Sequence, residues 1–326
     1  MLLSGYSPTA AIVSEIGKIA RELKTSRSLH PGRFFWVLDP VMGDNGRVYV
    51  DSDIVPAYKT LLRDADLILP NQFEAELLSG VQITDLGSMA RAIGVLHKEF
   101  GVPHVLITSV RLPATGRNTP VGGEGRQGDL GREGKLTVVG SSATEGLGCR
   151  LFRVTVPALP VFFSGTGDMF AALTVARLRQ MAMQAGVLET ASWKSGDEVG
   201  ATDLPLAKAT EMVLASMHAV LKDTAAKYEE EVEKLDQERR RSLNEGVGEE
   251  AGEDSERERH LRLTRAAEVR VVRNVRHLRN PPELESFRAV PVEVEVEDDF
   301  VHEPDELGIL KAGAGGEGAV QQASTA

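Results

Sequence analysis

The sequence predicts an α/β protein with a mainly parallel sheet and helices on both faces. Two observations carry this. Short, continuously apolar runs of the kind that suit strands buried on both sides alternate with stretches of helical spacing. And each of several apolar runs ends in the same type of polar cluster, the pattern of a ligand cleft at the carboxyl edge of a parallel sheet.

The elements follow in order. Residues 34–38 (FFWVL) read as a buried strand, 54–62 as a helix, and 67–69 (LIL) as a second strand closed by Pro70. Helices are expected over 73–78 and 89–100, with a strand at 105–107 between them and the next unit. Residues 151–156 alternate, 169–181 form a strongly apolar helix, 206–221 another helix, and 289–296 a final alternating strand. Asn45-Gly46 marks a hairpin leading into Arg47-Val48-Tyr49-Val50.

Composition bounds the rest. The chain has 326 residues, 42% hydrophobic and 26% charged, with a formal charge of −11. Eight of those negative charges come from 293–306, which has no Lys or Arg, so the remainder is near neutral and carries no global basic footprint for nucleic acid. One cysteine, Cys149, excludes a disulfide framework and a Cys-rich zinc site. No apolar run reaches the ~20 residues of a membrane span, and the first residues lack a signal-peptide pattern. A cytoplasmic protein, with the nucleus open as well, is the expectation. The domain expected is 1–295, with a disordered acidic and Gly-rich tail over 296–326. Within the domain, 113–149 is poor in large apolar side chains and is expected to loop out. The stretch 228–265 reads as a second insertion. Its first half is suited to continuing a helix and its second half, interrupted by Gly246, Gly248 and Gly252, is expected to be mobile.

The polar clusters carry the chemistry. Ser164-Gly165-Thr166-Gly167-Asp168 precedes an apolar helix, and its glycines admit an anion to the helix amides. An Asp there stands where it would take the proton of a hydroxyl attacking a phosphate, while helix capping by Thr166 and Asp168 is the competing reading. Asn71 and Glu74 lie three apart at a helix start. They suit either a phosphate and Mg²⁺ region or a capping box. Asp39 and Asp44 flank a turn, and Thr108-Ser109 follows a strand, where nucleotide contact and turn formation compete. Neither a G-x-x-x-x-G-K-[ST] nor a G-x-G-x-x-G sequence is present.

DPVMGDNGRVYV (39–50), LPNQFEAELLSG (69–80), ITS (107–109) and SGTGDMFAAL (164–173), in this order and spacing, resemble pyridoxal kinases of the ribokinase-like superfamily. The likeness runs from Ser4-Gly5-Tyr6 to about Leu221 and resumes weakly over 268–294. It implies a three-layer sandwich and ATP-dependent phosphorylation of the hydroxymethyl group of pyridoxal, pyridoxine or pyridoxamine. It implies Asp168 as catalytic base and Gly165, Thr166 and Gly167 as the anion-binding turn. Asn71, Thr108, Ser109 and Tyr49 fall at nucleotide or phosphate positions. Asp39, Asp44 and Glu74 fall at positions serving Mg²⁺ or another divalent ion, directly or through water. K⁺ and a homodimer belong to the same expectation, with no nucleic-acid or membrane partner.

Two departures stand out. Leu69 replaces a Thr common before Pro-Asn. The family's first quarter, which builds much of the vitamin pocket, has no counterpart before Leu2, so an N-terminally truncated sheet with an exposed edge is expected. The alternatives are a kinase for a related alcohol of the hydroxymethylpyrimidine type, or a non-catalytic nucleotide-binding remnant.

Overall fold

The computed structural model describes residues 1–26, 32–110, 134–244 and 253–293. In chain order the elements are β1 (Leu2–Ser4), α1 (Ala10–Ser26), β2 (Trp36–Leu38), β3 (Gly43–Asp44), β4 (Arg47–Val48), α2 (Ile54–Leu61), β5 (Leu67–Ile68), α3 (Gln72–Ser79), α4 (Leu86–Lys98) and β6 (His104–Val110). They continue with β7 (Lys135–Ala143), β8 (Cys149–Pro157), α5 (Thr166–Gln184), α6 (Pro205–Asn244), α7 (Glu253–Ala266), α8 (Val275–Arg279) and β9 (Val290–Pro291). Seven strands form one sheet in the order β1-β2-β5-β6-β7-β8-β9, and β3 and β4 form a separate hairpin. The ladders β1–β2, β2–β5 and β5–β6 are parallel, and three antiparallel ladders extend the sheet beyond β6.

Alternation along the strands splits the core into two layers, because successive side chains of a strand point to opposite faces. Trp36, Leu38, Ile68, Val105 and Ile107 pack with Val13, Tyr58, Leu78 and Ile93 on the side of α1 to α4. Phe35, Val37, Leu67, Leu106 and Phe152 pack with Phe170, Leu178, Val213 and Val220 of α5 and α6. Helix, sheet and helix layers result, which is the α/β sandwich the sequence predicts.

Three expectations fail here. The stretch expected to loop out contains β7: Lys135–Ala143 pairs with β6 on one side and along its whole length with β8 on the other. Its small residues are required by packing rather than by mobility. A Cβ on Gly140 would collide with the Phe152 ring and reach Leu106. Ser141 and Ser142 give their hydroxyls to buried imidazoles, His97 Nε2 at 2.9 Å and His104 Nδ1 at 2.7 Å. Second, the described part of the second half, 253–265, is helical, while 245–252 with Gly246, Gly248 and Gly252 lie outside the described residues. Helix α6 runs on to Asn244 as expected, and α7 folds back on it through Arg262–Glu231 (2.7 Å), Arg262–Glu238 (2.8 Å) and Arg259–Asp236 (3.2 Å). Third, among the described residues the last strand is Val290–Pro291, and 294–296 of the expected strand lie outside them. The tail over 296–326 and the part of the first insertion before 134 lie outside the described residues.

Among the described residues no helix is long and apolar enough to cross a membrane.

Candidate active site

The parallel strands end in step. Asp39 N donates to Ser4 O (2.8 Å), Leu69 N to Leu38 O (3.0 Å) and Thr108 N to Pro70 O (3.0 Å), so the ladder carries past the strands into the polar residues. Asn71 and Thr108 form a further parallel bridge. Ser109 takes a left-handed backbone (φ 56°) where the β6–β7 register shifts, and its side chain is exposed.

The β3–β4 hairpin stands over this edge. Asn45 and Gly46 both have positive φ (50° and 75°), as a tight two-residue turn demands. Gly43 must be glycine, because a Cβ there would strike the Arg47 carbonyl and the Phe73 ring. Tyr49 N donates to Met42 O (3.1 Å), and the charges of Glu74, Asp44 and Asp39 add to burial in pushing the Tyr49 phenol up. Asp44 turns outward and receives Asn45 N (2.8 Å) and Asn45 Nδ2 (3.0 Å).

Asn71 and Glu74 form the capping box. Glu74 N donates to Asn71 Oδ1 (2.9 Å), and Asn71 N to Glu74 Oε2 (2.8 Å). They do more than cap. Asn71 Nδ2 donates to Gly43 O (2.7 Å), and Glu74 Oε1 accepts Met42 N (2.8 Å) and Gly43 N (3.4 Å). Glu74 is buried, so this one carboxylate locks α3 to the hairpin base. Met42 and Gly43 were not singled out by sequence; the glycine inside DPVMGD was the available signal.

Helix α5 begins at Gly165, whose φ of 83° supplies the left-handed step before the first turn. Thr166, Gly167 and Asp168 form that turn, with Asp168 exposed at the positive end of the helix. Phe162, just upstream, is 79% exposed and outside any strand. Ser164 is held by a distant segment, donating its N–H to Ala267 O (3.1 Å) and accepting Val269 N (3.3 Å). The Val269 side chain packs against Gly165, where an added Cβ would come within 3.2 Å.

Electrostatics link the pieces. Burial, and then the charge of Asp168, raise Asp39 to about 7. Burial also raises Glu74 to about 7, with Asp39 adding to it against the backbone donors. Asp39 thus shares a field of like charge with Glu74 and with Asp168. Among the described residues no three His, Cys, Asp or Glu side chains converge into a metal cluster, so Asp39, Asp44 and Glu74 are not one direct coordination set. Glu74, buried with both oxygens engaged, and the like-charged Asp39 beside it suit a hydrated divalent ion, since Mg²⁺ keeps several of its waters.

The arrangement is an α/β sandwich with a glycine turn at a helix start and acidic side chains that share its field at the ends of the parallel strands. The chain belongs to the phosphomethylpyrimidine kinase family, whose family model matches residues 16–193, a span that contains every site residue above. It is 35% identical to human pyridoxal kinase over 181 residues, 54% of this chain and 53% of that one. A Schizosaccharomyces pombe protein provisionally named a pyridoxal kinase is 35% identical over 224 residues, 69% of this chain and 62% of its own. The chain therefore spans less than two thirds of the length of these relatives. The fold is similar to that of Leishmania donovani pyridoxal kinase solved with ADP and pyridoxamine, with a TM-score of 0.57 at 24% identity, covering 89% of this chain and 74% of that one.

Proposed function

We propose that this chain transfers the γ-phosphoryl group of ATP to the hydroxymethyl group of a pyridoxal-type vitamin. The observation that carries the reading is the placement of Asp168. It is exposed in the first turn of α5, beside the Gly165–Gly167 amides, and its charge acts on Asp39. In this reading the amides of the turn and the positive end of α5 receive the transferring phosphate. Asp168 accepts the proton of the attacking hydroxyl. Asn71, Thr108, Ser109 and Tyr49 orient the nucleotide phosphates along the strand ends. A divalent ion, held by Asp39 and Glu74 through its waters, would neutralise charge on the phosphates. The relatives named as pyridoxal kinases support the vitamin as acceptor, and ADP in the Leishmania donovani neighbour supports ATP as donor.

The second reading, a hydroxymethylpyrimidine-type acceptor, is favoured by the family description itself. The full chain incubated with ATP and Mg²⁺ separates the two. Phosphate-ester formation on pyridoxal well above that on hydroxymethylpyrimidine supports the first. The reverse order replaces it, and turnover of neither acceptor rejects both.

A further inference from the structure

A cavity lies away from the strand ends, against α6. Ala215, His218, Ala219 and Lys222 recur every three or four residues and form one stripe of that helix. Helix α8 and the segment 282–287 line the other side with His277, Glu283 and Phe287, leaving an open cavity of about 220 Å³ in which Lys222, His277 and Glu283 are exposed. The arrangement is built rather than incidental. Ser216 Oγ donates to His277 O (2.8 Å) and fixes α8 over α6. The His218 ring lies 5.4 Å from the Phe287 ring. Glu283 holds a left-handed backbone (φ 53°) after two prolines, an arrangement an ordinary connection avoids.

The charges in this cavity are unspent. Among the described residues no carboxylate lies within ion-pair distance of Lys222, and neither imidazole has a hydrogen-bond partner on its ring. The lower crevice between α6 and α7 differs. There Arg262 is engaged by Glu231 and Glu238, and Arg270 by Asp223. One ammonium with three N–H donors and two imidazoles with at least one each line an opening with a single facing acid, Glu283, and burial together with the Lys222 charge pushes the His218 ring down. Beside them Phe287 and Pro282 provide an apolar wall.

We propose that this cavity binds a small phosphate monoester, the phosphate held by Lys222, His218 and His277 and the organic group against Phe287 and Pro282. Charge-assisted N–H donors to phosphate oxygens are the strong class of hydrogen bond, and a flat apolar group gains from the aromatic wall.

The test uses the full chain, with phenyl phosphate as probe and phenol as the neutral control. Imidazole resonances of His218 and His277, assigned with single His→Gln variants, are followed by NMR. The expected result is a saturable shift of both with phenyl phosphate and none with phenol. Lys222→Glu should weaken binding about tenfold or more at an unchanged unfolding temperature. Lys222→Gln serves if that variant does not fold. Shifts confined to residues near Gly165–Asp168, equal shifts with phenol, no saturable shift up to about 20 mM phenyl phosphate, or undiminished affinity in the Lys222 variant would each overturn the proposal.

Discussion

His104 Nε2 meets the backbone carbonyl of Ser192 at 2.7 Å, so a β6 imidazole and a left-handed loop residue (φ 51°) are joined in the interior. The same loop gives Ser192 Oγ to Asp66 Oδ1 (2.6 Å), and Trp193 stacks on Phe35 with centroids 4.2 Å apart. Burial pushes His104 and His97 down to about 4. An imidazole with a depressed folded pKa keeps its contribution above the ordinary value of about 6.5 and loses it as pH falls toward 4. Folding stability carried by this network should therefore decline between those pH values. NMR should show both rings neutral in the native protein at pH 5.5, and native-state titration of either near 6.5 would contradict the network.

Asp39 moves the other way. Its folded pKa is raised from 3.8 to about 7, so its burial costs nothing below about 4 and the full amount above 7. Asp39→Asn should raise stability at pH 8 by on the order of 2–4 kcal/mol, with the gain vanishing near pH 4. Thermal unfolding at the two pH values measures it. A variant no more stable than wild type at pH 8 would mean that Asp39 is solvated. If Asp39 also holds the hydrated cation, the same variant loses turnover while gaining stability.

Asp168→Asn should lower kcat for phosphoryl transfer by at least ~10²-fold while ATP binding survives. Near-normal turnover would remove Asp168 from proton transfer. Because Asp168 is exposed and makes no tertiary hydrogen bond among those described, its loss should leave the unfolding temperature nearly unchanged.

Glu74→Ala leaves the N–H groups of Met42, Gly43 and Asn71 without their acceptor. The expected cost is about 2–4 kcal/mol, together with weaker ATP binding as the hairpin base loosens. Urea unfolding and calorimetry read the two effects. Unchanged stability would show that water replaces the carboxylate.

Gly140→Val drives a side chain into Phe152 and Leu106, and should cost roughly 1–3 kcal/mol or more through overpacking. A Ser there would be the milder test of the same contact. Tolerance of Val without loss in urea unfolding would reverse the reading of β7 as a packed strand.

The parallel half of the sheet was legible because FFWVL, LIL and VLI each combine β-forming residues with burial on both faces. Strand β7 was not, since Gly140, Ser141 and Ser142 are small for the sake of Phe152, His97 and His104, partners far away in sequence. Helix α7 was misread for a related reason. Its stability comes from Arg259 and Arg262 reaching acids of α6, which composition alone does not reveal. In the site, Asn71 and Glu74 fitted two readings by spacing, and the structure shows the capping box at work without excluding service to a bound cation. The partner of Ser164 carried no local signal at all.

That partner has a consequence for how the protein is made. The Ser164–Glu268 bridge closes a span of roughly a hundred residues, and contacts of such separation form late because their loop must be closed first. At the ribosome, where chains emerge at about 5–20 residues per second, the sheet up to β8 is available for folding well before Ala267 to Val269 appear. The Gly165–Asp168 turn thus waits, its upstream side unclamped, until α6 and α7 have been synthesised and have packed together. A nascent chain arrested between Gln184 and Glu253 would hold nearly the whole sheet and yet lack the clamp on that turn.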